Sequence, residues 1–185
     1  MKKALLLMMI SLLCVAFLTA SGLAESRKYI HPAPVFSFEY PTNYQAGTLQ
    51  SATEVARFFS PNLYKLPMIV AHVSEQKEDF KPTDPVQEFV ERMKTTIPGT
   101  ADFKIIEEKE VKLNDGSTGY LFKINWKWVD GITAMETILL SGVKADQVIT
   151  LTGTAFSNQK HSAEVLAICM TLNLKQVENR NETGI

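Results

Sequence analysis

The second half of the chain alternates between apolar and polar residues in four successive runs, which are separated by polar turns. The runs are 103–113, 119–128, 132–140 and 147–155. Asp-Gly pairs lie in the first two turns, 114–116 and 130–131, and favour β-hairpins because both residues accept positive φ. The third turn is 144–146. The pattern therefore predicts a four-stranded antiparallel meander, with a bulge near 103–106 where the apolar residues fall out of step.

Two other segments repeat their apolar residues at the spacing of a helix. In 83–97, Asp84 and Pro85 favour a helix start, and the apolar residues form a single stripe. These are Val86, Phe89, Val90, Met93 and Ile97. A second amphipathic helix is predicted over about 157–172.

Shorter alternating runs in the first half predict three more strands. They are 35–40, 51–60 and 68–73, each bounded by proline or glycine. Together the elements predict an α+β domain, an antiparallel sheet flanked by helices, over 35–174. The segment 25–34 is polar with two prolines and is expected to be an irregular lead-in, and 175–185 is expected to be a polar tail.

One face of the predicted strand 119–128 is strongly aromatic. Tyr120, Trp126 and Trp128 share it, since side chains two residues apart point to the same side of a strand. Such a face either packs as core beneath a helix or binds a ligand or partner. Core packing is the favoured interpretation, and Trp128, next to a turn, is the residue expected to reach the surface.

The first residues have the pattern of a secretion signal. Lys2 and Lys3 precede an apolar run, and small residues before Ala24 predict cleavage after it. Leu13 in front of Cys14 disfavours a lipoprotein, so the mature chain is expected in the periplasm or outside the cell, with no stable membrane span. An uncleaved N-terminal anchor is the alternative.

The net charge of the mature chain argues against nucleic acid as a partner. Loss of the two lysines leaves 17 basic against 20 acidic residues, a net charge of −3.

The residues that could carry chemistry form no convincing set. The three histidines lack the paired spacings of a metal site, so no metal or cofactor is expected. Ser157, His161 and Glu164 share a helix face, but side chains stacked on one helix make a poor triad, and Ser157 is better explained as a helix cap. Cys169 lies in an apolar helical run and is expected to be buried rather than nucleophilic.

The order of the elements and four phrases of this chain resemble the PsbP-like fold superfamily, the Mog/PsbP α/β/α sandwich. The strand 36–41 has the sequence Phe-Ser-Phe-Glu-Tyr-Pro, Asp84-Pro85 opens the mid-chain helix, 115–120 forms the turn into the aromatic strand, and 148–155 precedes the last helix. The resemblance implies a small exported domain without catalytic residues. Photosystem-associated members help to assemble or stabilise a membrane complex, and others are similar to the DcrB-like bacterial envelope proteins.

These observations lead to an ordered set of functional expectations. The first is an exported, non-enzymatic domain that binds a protein partner in the cell envelope, in an accessory or assembly role. The alternative is a small-ligand carrier with a pocket between sheet and helix. A hydrolase comes third. A deep apolar pocket lined by Tyr120 or Trp126 would favour the carrier.

Overall fold

The computed structural model describes residues 25–175 and contains nine strands and two helices in that range. The strands are β1 (Ser26–Pro32), β2 (Val35–Pro41), β3 (Gln45–Ala46), β4 (Glu54–Phe59), β5 (Met68–Glu75), β6 (Ala101–Lys112), β7 (Thr118–Lys127), β8 (Ala134–Lys144) and β9 (Gln147–Phe156). The helices are α1 (Asp84–Thr96) and α2 (Gln159–Cys169). Seven strands form one antiparallel sheet in the order β3-β4-β5-β9-β8-β7-β6, and β1 and β2 form a separate hairpin. This architecture confirms the predicted α+β class.

The predicted meander is confirmed, because β6 to β9 are sequential neighbours and all antiparallel. The β8–β9 turn has two central residues, Ala145 and Asp146, both with positive φ, which matches the right-handed twist of the strands. The register of β6 against β7 shifts twice, so the expected bulge is present. Ile132 was expected inside a strand, but β8 begins at Ala134 and Ile132 is 85% exposed in the turn.

The expectation of an irregular segment at 25–34 is wrong in its centre, since β1 pairs with β2 over seven residues. Tyr29 explains the difference. Its ring lies 5.2 Å from that of Phe38 and 5.9 Å from that of Phe58, and its hydroxyl donates to the Val55 carbonyl at 2.8 Å. His31 stacks on Phe36 at 5.0 Å. The contacts of Tyr29 with Phe58 and Val55 are long-range, so no local pattern predicts them.

Both helices lie where they were predicted, but their first turns differ from expectation. Thr83, not Asp84, occupies the N-cap of α1 without a side-chain cap, and the Asp84 carboxylate accepts from the Lys81 N–H at 3.0 Å. In α2, Asn158 rather than Ser157 is the cap, since its side-chain oxygen accepts from the His161 N–H at 2.9 Å.

The predicted signal segment, with Ala24, and the tail beyond 175 lie outside the described residues.

The sheet separates two apolar clusters. On one face, α2 and the β1–β2 hairpin cover the larger cluster, which includes Phe38, Leu140 and Ile168. On the other face, α1 covers a smaller cluster around Phe89 and Trp126. A helix is about 10 Å wide, whereas seven strands at about 4.8 Å spacing span roughly 29 Å. One helix therefore covers only part of its face, and the uncovered part lies over β4, β5 and β9.

Candidate functional site

A cavity of about 410 Å³ lies where α1 leaves the sheet uncovered. We call it the α1 cavity. Residues of β4, β5, β7, β8 and β9 form its floor, and one edge of α1 forms a wall. The volume falls in the range of roughly 300–1,000 Å³ that is typical of small-molecule pockets. The exposed residues Gln50, Tyr64 and Thr96 mark its opening to solvent.

Apolar side chains make up most of the wall and floor of the α1 cavity. The apolar residues include Met68, Val70, Phe89, Met93, Trp126 and Met135. Trp126 is 2% exposed, and its indole N–H donates to the Thr137 hydroxyl at 3.0 Å, so the ring is held in a fixed orientation. Trp128 is half-buried at 5.9 Å from Trp126, ring to ring. The lining is thus a rigid aromatic patch combined with methionines, which adapt easily to a ligand.

The structure brings together two of the three aromatic residues singled out from the sequence. Trp126 and Trp128 both line the α1 cavity, while Trp126 also stacks on Phe103 at 5.6 Å as part of the core. Tyr120 lies on the same strand face but six residues away, about 20 Å along the strand. It lines a different, shallow depression together with Phe80.

A buried ion pair forms the polar end of the cavity on β4. The Arg57 guanidinium donates to Glu54 Oε1 at 2.5 Å, and the Gln50 N–H donates to Glu54 Oε2 at 2.7 Å. Burial alone would raise the pKa of Glu54. The hydrogen bonds and the positive charge of Arg57 outweigh burial and hold that pKa below its ordinary value. Arg57 also donates to the Met68 sulfur at 3.1 Å, so its donors are largely engaged.

Arg92 of α1 faces this end of the cavity, and burial lowers the pKa of its guanidinium, opposed by the charges of Glu54 and Glu88. Within residues 25–175 it forms no salt bridge. His72 of β5 is 7% exposed, and burial, together with the charge of Arg92, lowers its pKa to about 4. His72 is therefore neutral at neutral pH, with Nδ1 3.3 Å from the Thr53 hydroxyl.

Threonines of β9 complete the floor. Thr154 pairs with Thr137 through their hydroxyls at 3.0 Å. Thr152 is 4% exposed, and its hydroxyl has no hydrogen-bond partner among the described residues. A buried hydroxyl without a partner is costly, so this one is an unused donor and acceptor on a residue that lines the cavity.

Sequence reasoning missed the polar half of this cavity. Glu54, Arg57, His72 and Arg92 are separated along the chain and form no motif. A weak signal did exist, because His72 follows Met68 and Val70 at period two, on a strand face that would otherwise be apolar. A polar residue at a core position of a strand indicates either a buried partner or a site.

The residues considered for a catalytic triad, Ser157, His161 and Glu164, form no hydrogen bonds with one another among the described residues. The Glu164 carboxylate accepts from the Tyr44 hydroxyl at 2.8 Å, and His161 Nδ1 lies 2.9 Å from the Asn158 amide, so neither is bonded to Ser157. Cys169 is fully buried, as predicted, and burial raises the pKa of its thiol to about 12. Within residues 25–175 no group of three or more His, Cys, Asp or Glu could hold a metal ion.

Exposed apolar side chains lie around the same end of the sheet as the cavity opening. Leu63 is 89% exposed in the β4–β5 loop, and Tyr64 beside it packs edge-on against Phe156 at 5.4 Å. Val129 and Ile132 protrude from the β7–β8 turn. We call Leu63, Tyr64, Val129 and Ile132 the apolar rim.

Comparison with solved structures identifies the class of fold. Cyanobacterial PsbP (CyanoP) from Synechocystis sp. PCC 6803 superposes with a TM-score of 0.64 at 14% identity, covering 84% of this chain and 96% of that one. The Saccharomyces cerevisiae Ran-binding protein Mog1p gives 0.55 at 9% identity, covering 81% and 95%. A Bacteroides thetaiotaomicron protein gives 0.51 at 16% identity, covering 82% of this chain and 49% of its own. The chain therefore has the PsbP/Mog1 fold, as the sequence resemblance predicted.

At these identities the likeness concerns the fold alone. No protein-family model and no curated protein sequence matches the chain. Neither helix of residues 25–175 is long and apolar enough to cross a membrane.

Proposed function

We propose that this protein is an exported, non-enzymatic binding protein of the cell envelope that carries a small apolar ligand in the α1 cavity. The observation that carries the proposal is the cavity itself, a ligand-sized space beside α1 with Trp126 in its floor. An apolar group that enters this space leaves water and gains about 25 cal/mol for each Å² of apolar surface buried. The carrier function therefore takes precedence over the protein-partner function favoured by the sequence.

The non-enzymatic part of the proposal is supported by the burial of Cys169 and by the hydrogen-bond partner of His161. The thiol of Cys169 is buried and protonated, and the imidazole of His161 lies against an amide rather than a hydroxyl. Export is supported by the pattern of residues 1–24, with its basic start, apolar run and small residues before Ala24.

Native mass spectrometry of the full chain, isolated from the envelope fraction of expressing cells, tests the carrier function. We expect the native mass to exceed the denatured mass by one small apolar molecule. Val70→Phe, which places a larger side chain into the cavity floor, should remove the added mass. Val111→Phe makes the same change at a half-buried site on the other face and should retain it.

The carrier function is refuted if the wild-type protein carries no added mass and also takes up none from a lipid extract of the same envelope. It is equally refuted if Val70→Phe, shown to be folded by circular dichroism, retains the adduct in full.

The apolar rim favours a second candidate, recognition of a protein partner in the envelope. Four exposed apolar side chains lie in two loops at one end of the sheet, and exposed apolar surface of this kind is available to a partner. Mog1p, which has the same fold, is a Ran-binding protein. We expect chemical cross-linking in intact cells to yield a discrete adduct that Leu63→Ser and Ile132→Ser abolish and Ile30→Ser, at an exposed apolar position of β1, does not. Equal yields from the rim and control variants would reject this candidate.

A further inference from the structure

The charged and polar side chains that line the α1 cavity restrict the chemical class of ligand that it can bind. Resting on the carrier function proposed above, we infer that the cavity binds an apolar monocarboxylic acid, with its carboxylate on Arg92 and its hydrocarbon part against Trp126 and the methionines. Three observations lead to this class of ligand: a half-buried cation that forms no salt bridge among the described residues, an unpartnered buried hydroxyl on a residue that lines the same cavity, and apolar walls beyond.

The charges that line the α1 cavity are complemented by a ligand with a single negative charge. Glu54 and Arg57 neutralise each other at 2.5 Å, and His72 is neutral. Glu88 does not line this cavity and pairs with Lys77 at 3.6 Å; its charge also acts on Arg92, but the two form no salt bridge. The remaining charge in the buried part is that of Arg92.

A half-buried guanidinium without a salt bridge is costly, and a carboxylate is the anion whose two oxygens match its planar donors. A dianion such as a phosphate monoester would bring one negative charge too many into this space. Lys65, exposed at the opening, adds a solvated positive charge that favours the approach of an anion.

Two neutral polar side chains that line the cavity together with Arg92 fit the same head group. Thr152 has a buried hydroxyl without a partner among the described residues. His72 contacts the Thr53 hydroxyl through Nδ1, so when that nitrogen accepts, the proton resides on Nε2, which then becomes a donor. Both side chains line the cavity. A carboxylate bound at this end satisfies groups that the folded chain leaves without partners.

The rest of the lining is suited to a hydrocarbon chain. Met68, Met93 and Met135 present flexible thioethers, and Phe89 and Trp126 present flat rings. Polar groups at one end and apolar groups along the remainder require an amphipathic ligand. A cation would face Arg92, and an uncharged hydrocarbon would leave Arg92 and Thr152 without partners.

Tryptophan fluorescence of the full chain provides a direct test. The chain contains two tryptophans, Trp126 and Trp128, and both line the cavity, so the whole signal reports on this site. We titrate the protein with decanoate, decanol and decylamine below their aggregation concentrations and confirm each affinity by calorimetry. Because hydrogen bonds to charged groups are strong, we expect decanoate to bind about tenfold to a hundredfold tighter than decanol, and decylamine to bind most weakly.

Substitutions distinguish the contribution of the carboxylate-binding residues to affinity from that of the apolar walls. Arg92→Met should reduce the affinity for decanoate to that for decanol while leaving decanol within about twofold. Thr152→Val, which removes a hydroxyl and keeps the shape, should weaken decanoate several-fold and leave folding stability unchanged or improved. Lys94→Met removes a positive charge from the far side of α1, near Phe103, and should have no effect on either ligand.

The outcomes distinguish this inference from the carrier function on which it rests. Equal binding of decanoate and decanol, or an Arg92→Met variant that keeps the preference for decanoate, overturns the carboxylate inference and leaves the carrier function standing. Failure of all three compounds to bind overturns the inference, and the carrier function is then decided by the native mass of the protein.

Discussion

His72 makes folding stability depend on pH in a way that one substitution can isolate. His72 is 7% exposed on β5 and lines the same cavity as Glu54, Arg57 and Arg92. Burial and the charge of Arg92 lower its pKa from 6.5 to about 4, although the charge of Glu54 opposes this. The folded state therefore resists protonation, while the unfolded chain takes up a proton at the ordinary pKa.

The sign and size of the effect follow from this difference. Above pH 6.5 the imidazole is neutral in both states, and its contribution is fully present. As the pH falls from 6.5 to about 4, protonation favours the unfolded state, and stability is lost. At 1.36 kcal/mol for each pKa unit, the loss is about 3 kcal/mol by the time the folded pKa is reached.

Urea unfolding of the wild type and of His72→Gln, followed by fluorescence and circular dichroism at successive pH values, measures this loss. The variant cannot titrate at position 72, so groups that do not interact with this position cancel in the difference, and the remainder reports on His72 together with Glu54, whose pKa responds to its charge. We expect the wild type to lose about 3 kcal/mol more than the variant between pH 6.5 and about 4. Parallel pH profiles for the two proteins would show that His72 titrates normally and would refute the account of its burial.

Three further predictions concern packing and the chain end. Gly153→Ala should destabilise the fold by about 1–3 kcal/mol in urea, since a Cβ there would overlap the Val165 side chain of α2; an unchanged midpoint would contradict this. Asp115→Ala should cost about 1–2 kcal/mol, because its carboxylate accepts from the Leu174 N–H at 2.6 Å, whereas its exposed neighbour Asn114→Ala should be neutral. Cys169 should resist thiol reagents until unfolding, as mass spectrometry in urea can check; rapid native labelling would contradict its burial.

How far the sequence predicts this fold depends on how local each signal is. The meander could be predicted because alternation and turn residues act within a few positions of the chain, and the α1 stripe could be predicted for the same reason. The strand β1 could not, since the contacts that join the β1–β2 hairpin to β4, from Tyr29 to Phe58 and to the Val55 carbonyl, link residues that are distant in sequence.

The sequence by itself determined the fold class, the positions of the two helices, the strands of the meander and the aromatic face that carries Trp126. Only the tertiary structure decided that Glu54, His72, Arg92 and Thr152 line one cavity. Their meeting depends on the strand order, which places β4 and β9 on either side of β5, and on where a single helix crosses a sheet nearly three times as wide as itself. Neither property is encoded in any short stretch of the chain, because strand order and helix placement result from the packing of the whole domain.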